Sequence, residues 1–237
     1  MKNAFNVDIR GIDKLQSGTF KSNKISEFFQ NKVYEKTQNG IKVLDGRMLE
    51  ESWFKPITAD VFISHKSDDV EAAKKLGAYL QSKGKSVFID SQIWGNISKL
   101  QTLIDNDYCL NSKRDSYIYE NRNKSTSYTH MLLATALLKT IRNCDNFVFL
   151  NTRNSIKATD IVNNTSETNS PWIFFELNVA NSLITKVIQE SRATERYNFD
   201  SMPEMAFAAE LKNFKKVDIS GLFSCLKISS TTKRTIY

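Results

Sequence analysis

A doubly wound α/β domain with a parallel sheet is the fold this sequence predicts, and three observations predict it. Short β-branched and aromatic runs recur at Asp60-Val61-Phe62-Ile63-Ser64, Ser86-Val87-Phe88-Ile89-Asp90 and Phe147-Val148-Phe149-Leu150, the pattern of strands buried on both faces. Between the first two, Ala72, Ala73, Leu76, Tyr79 and Leu80 recur at helical spacing after Asp68 or Asp69 as a cap, and Gly84 closes the helix. Strand, helix, glycine and strand within about thirty residues make a βαβ unit, which requires a parallel, right-handed crossover.

Taken in order, residues 1–56 read as an N-terminal extension, with Ser22 capping a helix over Asn23–Lys36 that carries Ile25, Phe28, Phe29 and Val33 on one face and is broken by Asn39-Gly40. Pro56 marks the boundary of the main domain, 57–228, and 229–237 is a tail. After the βαβ unit come a loop over 91–97 and a short helix over Ser98–Asp107. The polar, Tyr-rich stretch 111–127 has no assignable pattern. A helix over Tyr128–Asn143 carries Leu132, Leu133, Ala136, Leu137 and Ile141 inward, and a polar loop spans Asn151–Ser170. Pro171 opens a helix with Trp172, Phe175, Glu176, Val179 and Leu183, proline being favoured in a first turn. Beyond it, Ile184–Ile188 fits either a fourth strand or a continuing helix, Met202–Phe214 reads as helix, Lys216–Ile219 as a last strand and Gly221–Ile228 as a last short helix.

Composition narrows the function classes. Hydrophobic residues are 41% of the 237, enough for a sizeable core. The net charge of +7 is spread and interleaved with acids, with only Lys212, Lys215 and Lys216 near one another. That favours a solvated surface with some attraction for a small anionic ligand over nucleic-acid binding. No apolar run reaches the ~18 residues of a transmembrane helix, and the first residues lack the apolar stretch of a signal peptide; a cytoplasmic location without membrane contact is the default expectation. Three widely spaced cysteines, Cys109, Cys144 and Cys225, argue against a disulfide framework or a zinc site. Cys144 and Cys225 lie among apolar residues and read as buried thiols.

Four pieces of the chain together resemble TIR domains, especially prokaryotic ones. Asp60 to Asp69 resembles their first strand and loop. Val87-Phe88-Ile89-Asp90, with Trp94-Gly95 after it, is similar to the second strand and its loop. Asn146 to Leu150 resembles the third strand, and Ser170-Pro171-Trp172-Ile173-Phe174-Phe175-Glu176-Leu177 resembles the Ser-x-Trp-x-x-x-Glu-Leu opening of a main helix. The resemblance covers roughly 59–190 and implies a flavodoxin-like TIR fold. It departs from a minimal TIR domain in the long polar stretches 105–127 and 152–169, and in lacking a clear apolar fourth strand after the helix.

The resemblance implies that Glu176 is the catalytic residue of an enzyme that cleaves NAD at the nicotinamide–ribose bond, NAD being substrate and no cofactor or metal being needed. The chemistry agrees. Nicotinamide in NAD is cationic and leaves neutral, so no general acid is required, while the ribose carbon gains oxocarbenium character as in glycoside hydrolysis. One carboxylate can oppose that charge. Trp172 and Glu176, spaced i, i+4, share a helix face. In a doubly wound sheet ligands bind beyond the carboxyl ends of the strands, where Ser64, His65, Lys66 and Asn151 leave the sheet. Ser64 and Lys66 suit phosphates, and Trp94 or Trp172 suits a ring.

Each has a plainer role beside this one: Glu176 near a helix start suits the dipole, Trp172 suits packing, His65 suits a turn and Lys66 suits solvent. His130, at a helix start, reads as structural, with a place near the site as the alternative. The resemblance further implies self-association through the loop Ser91–Ile97 with Trp94, and a product (cyclic, conjugated or plain ADP-ribose) read by a separate effector, as in Thoeris-type antiphage signalling. A non-catalytic TIR adaptor and a nucleoside deoxyribosyltransferase-like enzyme are the alternatives.

Overall fold

The alternation in Asn3-Ala4-Phe5-Asn6-Val7-Asp8 is a strand period, and in the computed structural model these residues form β1 (Asn3–Asp8). The structure describes residues 1–16, 18–21, 35–38, 41–93, 97–160, 165–184 and 205–228. They fall into two compact units: Met1–Phe20 with Ala59–Ile89 and Cys144–Tyr237, and Lys21–Thr58 with Asp90–Asn143.

The first unit is built on a five-stranded parallel sheet. β4 (Ala59–Ser64), β5 (Val87–Phe88), β6 (Cys144–Asn151) and β10 (Lys215–Asp218) join β1 in the order β10-β1-β6-β4-β5. β4 and β5 are adjacent, parallel and buried, with Val61 opposite Val87 and Phe62 opposite Phe88, as the βαβ pattern predicts. β6 lies on the other flank of β4, with Ser64 opposite Phe149. β1 pairs β6 on one side and β10 on the other, all parallel. The second-first-third order of β5, β4 and β6 is that of a flavodoxin-like sheet, whose full order is 2-1-3-4-5. The fourth place is held by β1, from the segment expected to be an extension. A boundary at Pro56 therefore does not set off a separate piece of chain: β1 completes the sheet, while Lys21–Thr58 belongs to the second unit.

Helices cover both faces. α2 (Val70–Ser82) and α7 (Ile219–Cys225) pack on the face formed by Phe5, Val7, Val61, Ile63, Val148 and Leu150. Gly84, at φ +78°, turns the chain after α2, a left-handed conformation that glycine adopts without Cβ strain. On the other face Phe62 stacks between Phe88 and Phe147, with ring centroids 5.3 Å apart on each side, and Phe214 meets Phe147 edge-on. α6 (Pro171–Ile184) lies over this second face.

Several expectations are corrected. The second strand is only Val87–Phe88, because Asp90 already opens the helical turn α3 (Asp90–Ile93), where a loop was expected. The polar loop over Asn151–Ser170 contains β7 (Lys157–Asp160) and β8 (Thr165–Thr168), an antiparallel pair extended by β9 (Phe207–Ala208). Met202–Phe214 is thus not a helix in its described part. Phe207 pairs with Thr168 and stacks on Phe174 at 4.8 Å, so tertiary pairing overrides local propensity. Ile219 begins α7 rather than ending β10, because the Asp218 side chain caps the Gly221 N–H at 2.7 Å. Residues 185–188, and with them the question of a fourth strand there, lie outside the described residues.

In the second unit, β2 (Glu35–Gln38) and β3 (Ile41–Leu44) form an antiparallel hairpin. Glu35 and Lys36 are thus strand rather than helix; the rest of the expected helix, 23–34, lies outside the described residues. α1 (Gly46–Trp53) is capped by Asp45, and α4 (Ile97–Tyr108) packs with α5 (Tyr119–Arg142). α5 begins nine residues before the expected helix does, inside the stretch with no assignable pattern. The reason is a polar core. Asp105, 3% exposed, accepts hydrogen bonds from Ser125 at 2.5 Å, Gln101 at 2.8 Å and Arg122 at 3.1 Å, and Thr129 donates to Gln101.

Burial raises the Asp105 carboxyl, but the hydrogen bonds from Ser125, Gln101 and Arg122 outweigh it and hold the group below the usual carboxylate range. Such a group stabilises the fold above the unfolded-state value and loses that contribution as pH falls through its folded value. Asp105→Asn is expected to lower stability at pH 7 by ~1–3 kcal/mol. The deficit relative to the parent protein should vanish in acid, and denaturant melts from pH 7 down to pH 2 measure it.

Cys144 opens β6 at 1% exposure, and burial pushes its thiol up to about 12. Cys109 is also buried and raised by burial. Cys225 is only half-buried, with Lys215 Nζ donating to its Sγ at 3.1 Å, so the expectation of a buried thiol fails there. At pH 8 a thiol reagent should leave Cys144 unmodified in the native protein and label it on denaturation. Peptide mass mapping reads this out; rapid native labelling of Cys144 would contradict the buried placement.

Candidate active site

The second face of the sheet is layered towards its carboxyl edge. The row Phe88-Phe62-Phe147-Ala4 is apolar. Two residues on along each strand comes Ser64-Phe149-Asn6, and then Asn151 beside Asp8. The chain leaves β4 for β5 on one side and returns to β6 on the other. The carboxyl ends of β4 and β6 therefore flank the switch point where ligands of open α/β sheets bind.

α6 brings Glu176 onto the middle row. Ser64 Oγ donates to Glu176 Oε2 at 2.6 Å, the length expected of a hydroxyl on a carboxylate. Ser64 is 1% exposed and Glu176 3%. Around Glu176 the buried residues of α6 are apolar: Ile173, Leu177, Val179 and Ala180. Stability alone would favour an apolar side chain at 176, because burying a carboxylate costs several kcal/mol that pairing only partly returns. An acid held there despite that cost, at a strand's carboxyl end, marks a candidate for chemistry.

The loops at the same edge are tied together. Asp69, 8% exposed and at the N-cap of α2, makes no side-chain cap bond. Its carboxylate accepts from Thr152 Oγ1 at 2.5 Å and Asn154 Nδ2 at 2.7 Å, in the turn that follows β6. The cap expected at Asp68 or Asp69 is absent because the Asp69 side chain is engaged in joining the two loops. Ser155, 1% exposed, closes that turn on the Leu150 carbonyl at 3.0 Å.

Of the residues singled out in the sequence, Ser64 and Glu176 are in direct contact. Asn151 ends β6 one row nearer the rim. His65 and Lys66 follow Ser64 and are half-buried, Lys66 leading into the turn Ser67–Asp69. Trp172 is half-buried one turn before Glu176 on α6. Trp94 lies outside the described residues. His130 is exposed on α5, in the second unit.

Sequence reasoning missed Asn6, Asp8 and Arg10. Asp8 ends β1 beside Asn151, and its carboxyl is held below its ordinary value, chiefly by the side-chain hydrogen bond from Arg10 at 2.8 Å. The signal that could have found them is the alternation in Asn3–Asp8, a strand period.

Comparison with family models, with curated proteins and with solved structures gave no significant match to this chain. No helix among the described residues is long and apolar enough to cross a membrane.

Proposed function

We propose that this chain is a TIR-like enzyme that breaks the nicotinamide–ribose bond of NAD, with Glu176 as its catalytic residue. The observation that carries the proposal is the buried Glu176 carboxylate, held by Ser64 at the carboxyl end of β4 beside the switch point. The scissile C–N pair of electrons passes to the pyridinium ring, so nicotinamide departs neutral. Positive charge develops on the ribose carbon and its ring oxygen. Glu176 opposes that charge in surroundings where a carboxylate acts more strongly than in water. Ser64 fixes which oxygen of the carboxylate faces it. A hydroxyl then captures the ribosyl cation and loses its proton; water gives ADP-ribose, and a hydroxyl of the same molecule gives a cyclic isomer.

Lys66, at the mouth of the same edge, suits the pyrophosphate, and the half-buried Trp172 offers a ring face to nicotinamide or adenine. In this proposal the product serves a separate effector and activity rises with self-association, as for the TIR enzymes this sequence resembles.

Purified protein incubated with NAD, and separately with deoxynucleosides, tests the assignment by the base released. Free nicotinamide supports it. Free nucleobase from deoxynucleosides alone would reassign the same carboxylate to deoxyribosyl transfer. Release of neither, at micromolar enzyme, would overturn an enzymatic role for Glu176.

A further inference from the structure

A second polar group is buried in the row that holds Ser64. Asn6 stands on β1 opposite Phe149, which itself stands opposite Ser64 on β4. Residues opposite one another in a parallel sheet share a face, so Asn6, Phe149 and Ser64 all lie on the face that α6 covers. α6 packs on β1 as well. Asn6 is 8% exposed, and its Oδ1 is buried without a hydrogen-bond partner among the described residues.

An unpartnered buried amide oxygen costs the fold the desolvation of that group with no hydrogen bond in return. The neighbouring rows show that the position readily accepts apolar groups: Ala4, one row deeper on β1, is 5% exposed, and Phe149 is fully buried. A polar acceptor set in such a row asks for a donor from outside the chain. Strands lie about 4.8 Å apart, so Asn6 and Ser64 flank Phe149 at roughly 10 Å. The row thus offers an acceptor at one end and the Ser64-bound carboxylate at the other. A sugar suits that arrangement, with hydroxyls for both polar ends.

We infer that Asn6 is a substrate-binding residue of the Glu176 site, its Oδ1 accepting a hydrogen bond from a hydroxyl of the ribose that carries nicotinamide. The inference rests on the proposed NAD cleavage and extends it to a strand outside the residues that suggested it. Asn6 forms no bond to the reacting carbon, so its contribution falls on binding rather than on the chemical step.

The test compares the parent protein, Asn6→Leu and Asn6→Ala in the full chain. The substrates are NAD and its 2′-deoxy and 3′-deoxy analogues at the nicotinamide ribose, with melting temperature recorded for each protein. Asn6→Leu should raise KM for NAD about tenfold, the loss of one hydrogen bond, with kcat little changed and the melting temperature unchanged or higher. One deoxy analogue should bind about tenfold worse to the parent protein and show no further loss with Asn6→Leu. Asn6→Ala should reproduce the KM effect if the leucine does not fit.

A parent protein that releases nicotinamide while both variants keep its KM would overturn the role of Asn6 and leave Glu176 in place. Variants that lose melting temperature and kcat together, with KM unchanged, would also overturn it by making Asn6 structural. A parent protein that releases no nicotinamide would overturn the NAD assignment itself, and this inference with it.

Discussion

Glu176→Gln is expected to reduce nicotinamide release by roughly 100-fold or more, the effect of removing a group aimed at developing charge. The fold should survive. Glutamine has the shape of glutamate, and its amide oxygen can still accept the Ser64 hydroxyl that Glu176 accepts at 2.6 Å. It also spares the helix a buried charge among Ile173, Leu177 and Ala180, so the melting temperature should stay level or rise. A rate measured at saturating NAD isolates the chemical step, and a thermal melt of the same sample controls for folding. A variant that kept most of the activity would take Glu176 out of the mechanism. A variant that lost activity together with its cooperative melt would show instead that the ion is needed by the fold.

The second large effect falls on the fold. A chain starting at residue 57 should fail to form a stable domain. Such a truncation removes Phe5 and Val7, 2% and 0% exposed, each contributing about 1.5–3 kcal/mol through burial, against a total stability of ~5–15 kcal/mol for a typical protein. It also strips the hydrogen-bonding edges of β6 and β10 that face β1, and β10 would have to move one strand spacing, about 4.8 Å, to reach β6. Far-UV circular dichroism and thermal melts should show no cooperative transition for the truncated chain. In the full chain, Val7→Asp should destabilise without changing length. A truncated protein that melted within a few degrees of the parent would show β1 to be dispensable.

The sequence told most where burial is simplest. Val61–Ile63 and Phe147–Leu150 are buried, so their apolar runs carry no other signal, and the parallel pairing of Val61–Phe62 with Val87–Phe88 follows from the helix and glycine between those two strands. Ser64 and Glu176 were singled out on two separate segments by resemblance, and the structure puts them in contact. Three kinds of feature were hidden. β1 carries Asn6 and Asp8 on one face, so its strand period looked like an exposed alternation. The first half of α5 buries Ser125 and Thr129 against Asp105 and Gln101, and hydropathy cannot see a core made of hydrogen bonds. β7 and β8 are polar strands without an apolar run, and β9 joins β8 from about forty positions downstream, which no local pattern announces. Asp69 shows the same limit on a smaller scale: a residue typed as a cap was engaged by Thr152 and Asn154 across more than eighty positions.

The place of β1 also imposes an order in time. Its neighbours lie far downstream, with Phe5 paired to Val148 on one side and Lys215 on the other. At ~5–20 residues per second, β1 would leave the ribosome about 10–40 s before β10. Until β6 emerges Phe5 and Val7 have no sheet to enter, and β1 then remains an open edge until β10 follows. Closing so long a loop is an entropic cost met only when the last strand arrives. Translation that stalls anywhere before Lys215 would leave an apolar seam open along β1, a substrate for chaperones or for aggregation rather than a partly finished enzyme.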